Sequence, residues 1–308
     1  MDDHLPRLGV LAYHSIGTPL IDPWDLSVAP GHFDQQLGVL TSCGHIEALD
    51  VALDLSPAAR VARRRPVFAL TFDDGYVDNL FNALPLLERR DAPATVFIAT
   101  GLIGQPAFWW DVLADLALAS GSSGNELAEA AVKLGLVTGA ETAEPHERDW
   151  RSVHDQLHTA LIQLPPTDIM ALLQGLSSEV GIAVPPRDER PVTVDELVQL
   201  ASHPLVTIGV HSVNHRRLTL LDDEAVRTEI VDAASRLCEL LGPGRRVLAY
   251  PFGAASAATA DVARSAGFIH AVTTDSRPIA LRDARLMTPR LHAHDIGRYE
   301  FHSWVTSW

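Results

Sequence analysis

Cysteine is nearly absent from this 308-residue chain: Cys43 and Cys238 are its only two, far apart and without metal-type spacing. No disulfide framework is implied, and both read as ordinary core or surface thiols. Basic charge is also scarce. Twenty-four Lys and Arg stand against 39 Asp and Glu, a formal net charge of -15, which argues against nucleic acid or an anionic membrane surface as the main partner. No apolar run approaches the roughly 20 residues of a membrane span. The opening residues Met1 to Arg7 carry neither the basic nor the apolar stretch of an export signal. The expectation is a soluble, cytoplasmic protein with no transmembrane segment.

Apolar residues are plentiful, at 47% of the chain. That is enough for a large core, and the length fits one α/β barrel with an insertion or two smaller domains. Short apolar runs predict strands at Leu8–Tyr13, Pro66–Phe72, Ala94–Ala99, Val206–Val210, Val247–Tyr250, Phe268–Thr273 and Arg285–Leu291. Between them, amphipathic patterns predict helices at Pro30–Cys43, Asn79–Arg90, Asp222–Leu241 and Ser256–Ala266, with a short helix closing the chain. This alternation predicts a parallel sheet, and about seven strands favour closure into a distorted (β/α) barrel of the α/β class. The alternation breaks after Gly101. The segment at about 102–190 is helical in pattern, interrupted by Gly121-Ser122-Ser123-Gly124 and Pro165-Pro166, and reads as a helical insertion in a single barrel domain spanning 1–308.

The polar residues of interest share one place in that scheme. His14, Asp73, Asp74, His211, Pro251, Asp275 and His292 all fall just after predicted strands, and in an α/β barrel those points converge on one face. Asp73 and Asp74 are adjacent in Thr71-Phe72-Asp73-Asp74-Gly75, and His211 and His215 stand at i and i+4. Asp-Asp-Gly is also ordinary turn chemistry, and an isolated histidine pair is more often unrelated surface. Found together, they point to a divalent metal held by two imidazoles and one carboxylate, with the second carboxylate left as a base. That is the equipment of a metal-dependent hydrolase. A non-haem iron oxygenase can use the same three ligands, and a non-catalytic carbohydrate-binding barrel remains the alternative outside enzymes.

The runs Thr71-Phe72-Asp73-Asp74-Gly75, His211-Ser212-Val213-Asn214-His215 and Tyr250-Pro251-Phe252-Gly253 resemble the first three motifs of the polysaccharide deacetylases, carbohydrate esterase family four. The resemblance implies that Asp74, His211 and His215 bind Zn2+, or alternatively Co2+, Ni2+ or Fe2+, and that Asp73 is the general base. It also implies a substrate and oxyanion site at Tyr250, Pro251 and Phe252, with the Phe252 backbone N–H as a donor. The usual motif order puts the general acid near the C-terminus, at His292. The opening Leu11-Ala12-Tyr13-His14-Ser15 is similar instead to the subgroup resembling poly-N-acetylglucosamine deacetylases, in which an N-terminal Tyr-His carries the acid. His14 is therefore preferred, His292 is the alternative and His294 the third choice.

Two departures stand out. The third motif usually carries an arginine two residues before its proline, where this chain has Ala249, and Arg290 is expected to supply the missing guanidinium to Asp73. Asp275 matches a fourth-motif acid only loosely and equally suits a turn. Trp109 and Trp110 suit either stacking on a sugar or packing, and Trp304 and Trp308 are expected to seal the barrel. The implied reaction removes an N-acetyl group from an amino sugar or sugar-bearing metabolite. The expected partner is a soluble glycoside or a nucleotide- or lipid-linked sugar, a glycoconjugate rather than an external polymer. Hydrolysis of a cyclic amide or imide is the alternative on the same fold.

Overall fold

Parallel strands form the frame of the larger of two units. The computed structural model describes residues 7–121, 124–137, 149–162, 164–183, 187–244, 247–280 and 283–307; Ser122, Ser123, Trp308 and the opening residues 1–6 lie outside them. The chain divides into one compact unit of residues 1–18, 25–104 and 191–308, and a second of residues 19–24 and 105–190. Among the described residues, no helix is long and apolar enough to cross a membrane.

The first unit is a distorted (β/α) barrel. Its strands are β1 (Leu8–Tyr13), β2 (His45–Ile46), β3 (Val67–Phe72), β4 (Ala94–Ile98), β5 (Val206–Val210), β6 (Val247–Ala249), β7 (His270–Val272) and β8 (Leu291–His292). They pair in the order β7-β6-β5-β4-β3-β1-β8, with β2 beside β3. The run Arg285–Leu291 is not the regular strand expected. Its first part bonds to β7 through Ala271 N to Arg285 O (2.9 Å) and Thr273 N to Thr288 O (2.8 Å), and only Leu291 and His292 pair with β1. One stretch thus bonds β7 with its front and β1 with its back, closing the ring. Proline and charge in Arg285-Leu286-Met287-Thr288-Pro289-Arg290 break the ladder between the two halves.

Alternation along the strands sorts the core into two layers. Leu8, Val10, Val67, Ala69, Phe97, Val247, Ala249 and Val272 cluster inside the ring, where the helix Leu49–Asp54 also contributes Leu49 and Ala52. Leu11, Tyr13, Phe68, Leu70, Phe72, Ile208, Val210 and Leu248 pack outward against helical residues such as Phe33, Leu87, Ile230 and Phe301. Gly209 has to be glycine, because a Cβ there would stand 2.4 Å from the Phe97 ring inside the barrel. Helix boundaries follow local chemistry. Asp222 caps the helix Asp223–Leu241 by accepting from Ala225 N at 2.8 Å, and Ser256 with Thr259 forms a capping box for Ala257–Ser265. The expected helix at Asn79–Arg90 begins as a wide π turn, Asn79–Ala83, and becomes regular at Leu84–Arg90, where Pro85 has no N–H to donate backwards. Trp304, on the closing helix Arg298–Thr306, packs against the outer core.

The second unit is helical among its described residues, with helices Trp109–Ala119, Asn125–Lys133, Trp150–Leu161 and Pro166–Val180. Arg187 ties it internally, pairing with Asp115 at 3.0 Å and donating to the Asp111 carbonyl at 3.0 Å.

Candidate active site

Strand parity delivers the polar groups. Val67 and Ala69 point into the ring, so Thr71 and Asp73 continue on that side; His14 follows Leu8 and Val10 in the same way. Val206, Ile208 and Val210 face outward, which leaves His211 facing in. The Asp73 amide donates to Tyr13 O at 2.9 Å and extends the β1–β3 ladder by one residue. The backbone then changes hand, with φ of 72° at Asp74 and 84° at Gly75. Two left-handed residues in succession take Asp74 out of the alternation, so the adjacent carboxylates have different surroundings. Ser212, His215 and Phe252 are left-handed too, with φ of 64°, 52° and 59°. That conformation costs a non-glycine residue about 1 kcal/mol or more, and its concentration in the three motif turns shows geometry held against local preference.

Asp74 Oδ1 lies 3.3 Å from His211 Nε2 and 3.2 Å from His215 Nε2, and all three residues are buried. His211 Nδ1 is 2.8 Å from the Ala249 carbonyl oxygen. A carbonyl only accepts, so Nδ1 carries the hydrogen and Nε2 is the ring atom turned to Asp74, free to ligate when the ring is neutral. Against the downward pull of burial, Asp73 and Asp74 raise His211 when no ion is bound. Asp74 Oδ1 is buried and accepts no hydrogen bond. A buried anionic oxygen facing two ring nitrogens needs positive charge among them, which a cation or a ring proton can supply. The donor atoms of Asp74, His211 and His215 lie within 4.8 Å of one another, and this donor set suits a divalent metal with positions left open. The residues fit the ion that the motifs imply. Burial pulls His215 down to about 4, against the pull of Asp74, so its ring is neutral and able to ligate. Burial raises Asp74, but His215 and His211 outweigh it and keep the carboxyl below its ordinary range.

Arg290, fully buried, grips Asp73 with both terminal nitrogens, Nη1 to Oδ1 at 2.7 Å and Nη2 to Oδ2 at 2.6 Å. Nη1 also donates to Thr71 Oγ1 (3.0 Å) and Nε to the Thr273 carbonyl (2.9 Å). Thr71 Oγ1 in turn donates to Leu11 O at 2.7 Å. The guanidinium therefore joins the ends of β3 and β7 and fixes the Asp73 plane. Burial raises Asp73, yet Arg290, His211 and His14 together hold it well below the usual carboxylate range. It is ionised, and each oxygen keeps a lone pair beyond its bond to Arg290. His14 Nε2 stands 4.0 Å from Asp73 Oδ2.

The remaining expected residues divide. The Phe252 ring packs 4.6 Å from that of His215, and Gly253 behind it tolerates no side chain, since a Cβ would meet Thr274 Oγ1 at 2.0 Å. Pro251 is buried in the same turn. Tyr250 falls on the outward parity; its hydroxyl donates to Leu286 O at 3.0 Å and burial raises its pKa, so its side chain braces the closing segment instead of lining the site. His292 Nε2 is engaged 2.7 Å from the Asp25 carbonyl oxygen, with its ring 5.8 Å from that of His14. His294 pairs with Asp25. Asp275 is exposed and pairs with Arg277 at 2.9 Å. Trp109 and Trp110 belong to the second unit and are buried, with Trp109 stacked on His158 at 5.2 Å and Trp110 on Phe108 at 4.7 Å.

Three supporting residues escaped the sequence reading. Buried Glu229 accepts from Val213 N (3.0 Å), Asn214 N (2.8 Å) and Asn214 Nδ2 (2.9 Å), holding the loop between the two histidines. Asp78 accepts from Ser15 Oγ (2.7 Å) and Ile16 N (2.8 Å), and Asn79 Nδ2 donates to His14 O (2.8 Å), tying the His14 loop to the turn after Asp74. An acid on the otherwise apolar stripe Val226, Ile230, Ala233, Leu237 was a readable sign for Glu229. Asp78 and Asn79 carried no comparable sign.

The sequence model of the family described as polysaccharide deacetylase matches residues 60–157 and 185–271, together more than half of the chain. Among solved structures the fold is similar to the Streptococcus pyogenes deacetylase PplD in complex with acetate, with a TM-score of 0.62 and 17% identity over 97% of this chain and 98% of that one. It is also similar to IcaB from Ammonifex degensii (TM-score 0.63, 17% identity, 97% of each chain). A third likeness is to the BpsB deacetylase domain from Bordetella bronchiseptica (TM-score 0.57, 17% identity, 95% of this chain and 97% of that one). At these identities the likeness is one of fold. No curated protein matches this chain in sequence.

Proposed function

The chain belongs to the polysaccharide deacetylase family, and from that premise we propose that it hydrolyses the acetamide of an N-acetylated amino sugar at the face bearing Asp74, His211 and His215. It is an N-deacetylase of a metal-dependent family. The observation that carries the detailed reading is Asp73. An ionised carboxylate clamped by Arg290 stands beside the ligand group without belonging to it. A ferrous oxygenase needs no such neighbour, and a binding barrel needs neither.

We assign Zn2+ to Asp74, His211 and His215, where it would polarise the amide carbonyl and lower the pKa of water. Asp73 takes the proton of the attacking water as its oxygen bonds to the acetyl carbon, while Arg290 keeps that carboxylate ionised beforehand and aimed throughout. The turn that packs on His215 offers the Phe252 backbone N–H to the negative charge growing on the carbonyl oxygen. His14 Nε2, 4.0 Å from Asp73, gives a proton to the amine nitrogen as the C–N bond breaks. Acetate and a free amino sugar leave. His292 is the poorer acid because its Nε2 is already bonded to the Asp25 carbonyl.

The opening Tyr13-His14 resembles that of poly-N-acetylglucosamine deacetylases, and PplD was solved with acetate, the product of such a reaction. The first favours an oligomer of N-acetylglucosamine ahead of the small glycosides expected from the sequence; the second fits either, since acetate leaves from both. The test is acetate release by the Zn2+-loaded full chain from N-acetylglucosamine oligomers and from soluble N-acetylglucosaminides. Release that disappears in Asp74→Ala supports the reading. A folded, zinc-loaded chain that releases acetate from none of them, or an Asp74→Ala variant that still does, overturns it.

A further inference from the structure

A second set of side chains able to ligate a metal lies in the barrel unit and shares no residue with the ligand group above. Asp25, His292 and His294 bring one carboxylate oxygen and two ring nitrogens within 4.8 Å of one another. His294 Nδ1 faces Asp25 Oδ2, and His292 Nε2 lies 2.7 Å from the Asp25 carbonyl oxygen. One residue thus turns both of its oxygen functions toward two imidazoles. Asp25 adopts φ of 54° to do so, a left-handed conformation that aspartate accepts more readily than most residues.

The histidines are placed by the end of β8. Two residues apart on extended chain, they project to the same side, and their rings lie 5.0 Å apart. Neighbouring bonds hold this stretch still. Gln36 Nε2 donates to the His294 carbonyl at 2.9 Å, and Asp295 accepts from Ala29 N at 2.9 Å while pairing with His32 at 2.7 Å. The side chains of His294 and Asp25 are 45% and 52% exposed, so an ion can arrive from solvent and keep water on its remaining positions. A surface Asp–His ion pair would account for His294. His292 is held to the same residue by its bond to the Asp25 carbonyl, a bond that an ion at Nε2 would replace.

We propose that Asp25, His292 and His294 form a second divalent-cation site, weaker than the one at Asp74 and independent of it. Two imidazoles and one carboxylate suit Zn2+, and Co2+ or Ni2+ next. Exposure weakens the attraction, which ranks this site below the buried one. His292 would then give its lone pair to the ion and have none for proton transfer, 5.8 Å from the His14 ring. The proposal does not rest on the deacetylase reading, since its readout is stoichiometry and not acetate.

The experiment is calorimetric titration of the chelator-stripped full chain with Zn2+, with far-UV circular dichroism as a check on folding. The wild type takes up two equivalents in two steps. Asp25→Asn retains the left-handed backbone and loses the charge. Combined with His294→Gln it leaves one equivalent, with the tight step unchanged. Asp74→Ala loses the tight step and keeps the weak one. His294→Gln alone, at an exposed position, weakens the second step at least tenfold and serves if the double variant does not fold. A single equivalent in the wild type overturns the proposal, as does a second equivalent whose affinity is unchanged in either variant.

Discussion

Replacing Arg290 with methionine removes four hydrogen bonds, two of them to the Asp73 carboxylate. Asp73 is only 2% exposed, so its charge loses its guanidinium with little water to take its place. Removing one partner of a buried pair costs about 3–5 kcal/mol, a fall in melting temperature on the order of 10 °C for a chain of this size. The pH dependence carries a sign. With Arg290 in place Asp73 titrates below the ordinary value of 3.8; the pair's contribution is complete above that value and is lost as pH falls through the lowered one. In the Arg290→Met chain, burial acts without its main counterweight and Asp73 is expected to titrate higher than in the wild type. The deficit is then greatest near neutral pH and narrows on acidification, when a proton replaces the lost cation. Thermal melts of both chains from about pH 8 down to about pH 5, at one metal concentration, read this directly. Adding Asp73→Asn removes the stranded charge and recovers at least half of the loss. A deficit under about 1 kcal/mol, near the value of an exposed pair, or one that widens toward acid, would refute the account of Asp73.

Glu229→Gln leaves the Val213–Asn214 loop with fewer acceptors and is expected to weaken zinc binding by about 10- to 100-fold; competition against a chromophoric chelator measures it, and unchanged affinity would remove Glu229 from the list of positioning residues. His14→Gln is expected to slow acetamide hydrolysis by about 10² to 10⁴ but to affect an aryl acetate far less, because a phenolate leaves without a proton. His292→Gln stays within about tenfold on both substrates, below the roughly 10²-fold loss expected on removing a general acid; equal losses in the two variants would undo the assignment of His14. Asp78→Asn frees the His14 loop from a charge-assisted bond worth about 1.5–3 kcal/mol, and is expected to lower kcat on the acetamide more than KM rises.

The barrel is readable in the chain because its strands are short apolar runs separated by capped helices, and the motif residues are readable because they stand directly after those runs. Parity makes the reading finer than a motif match. Counting in twos from Val67 brings Asp73 inside, and counting from Val247 puts Tyr250 outside, so a count along the strand already separates the carboxylate that faces the ligand group from a hydroxyl that braces the wall. What could not be read depends on long-range geometry. The strand His45–Ile46 has two residues and no periodicity to show. The segment 285–292 changes partners midway, which no local pattern encodes. Asp25 meets His292 and His294 across more than 260 positions, and nothing in Pro23-Trp24-Asp25-Leu26 announces it.

The stretch that fastens β7 to β1 also carries Arg290. Completing the cylinder and clamping the Asp73 carboxylate therefore depend on one segment. During synthesis, a ribosome-bound chain that has not yet extruded residues 285–292 holds Asp73, Asp74, His211 and His215 without their clasp. Such a nascent enzyme would be inert, and activity would switch on late, when the final portion docks.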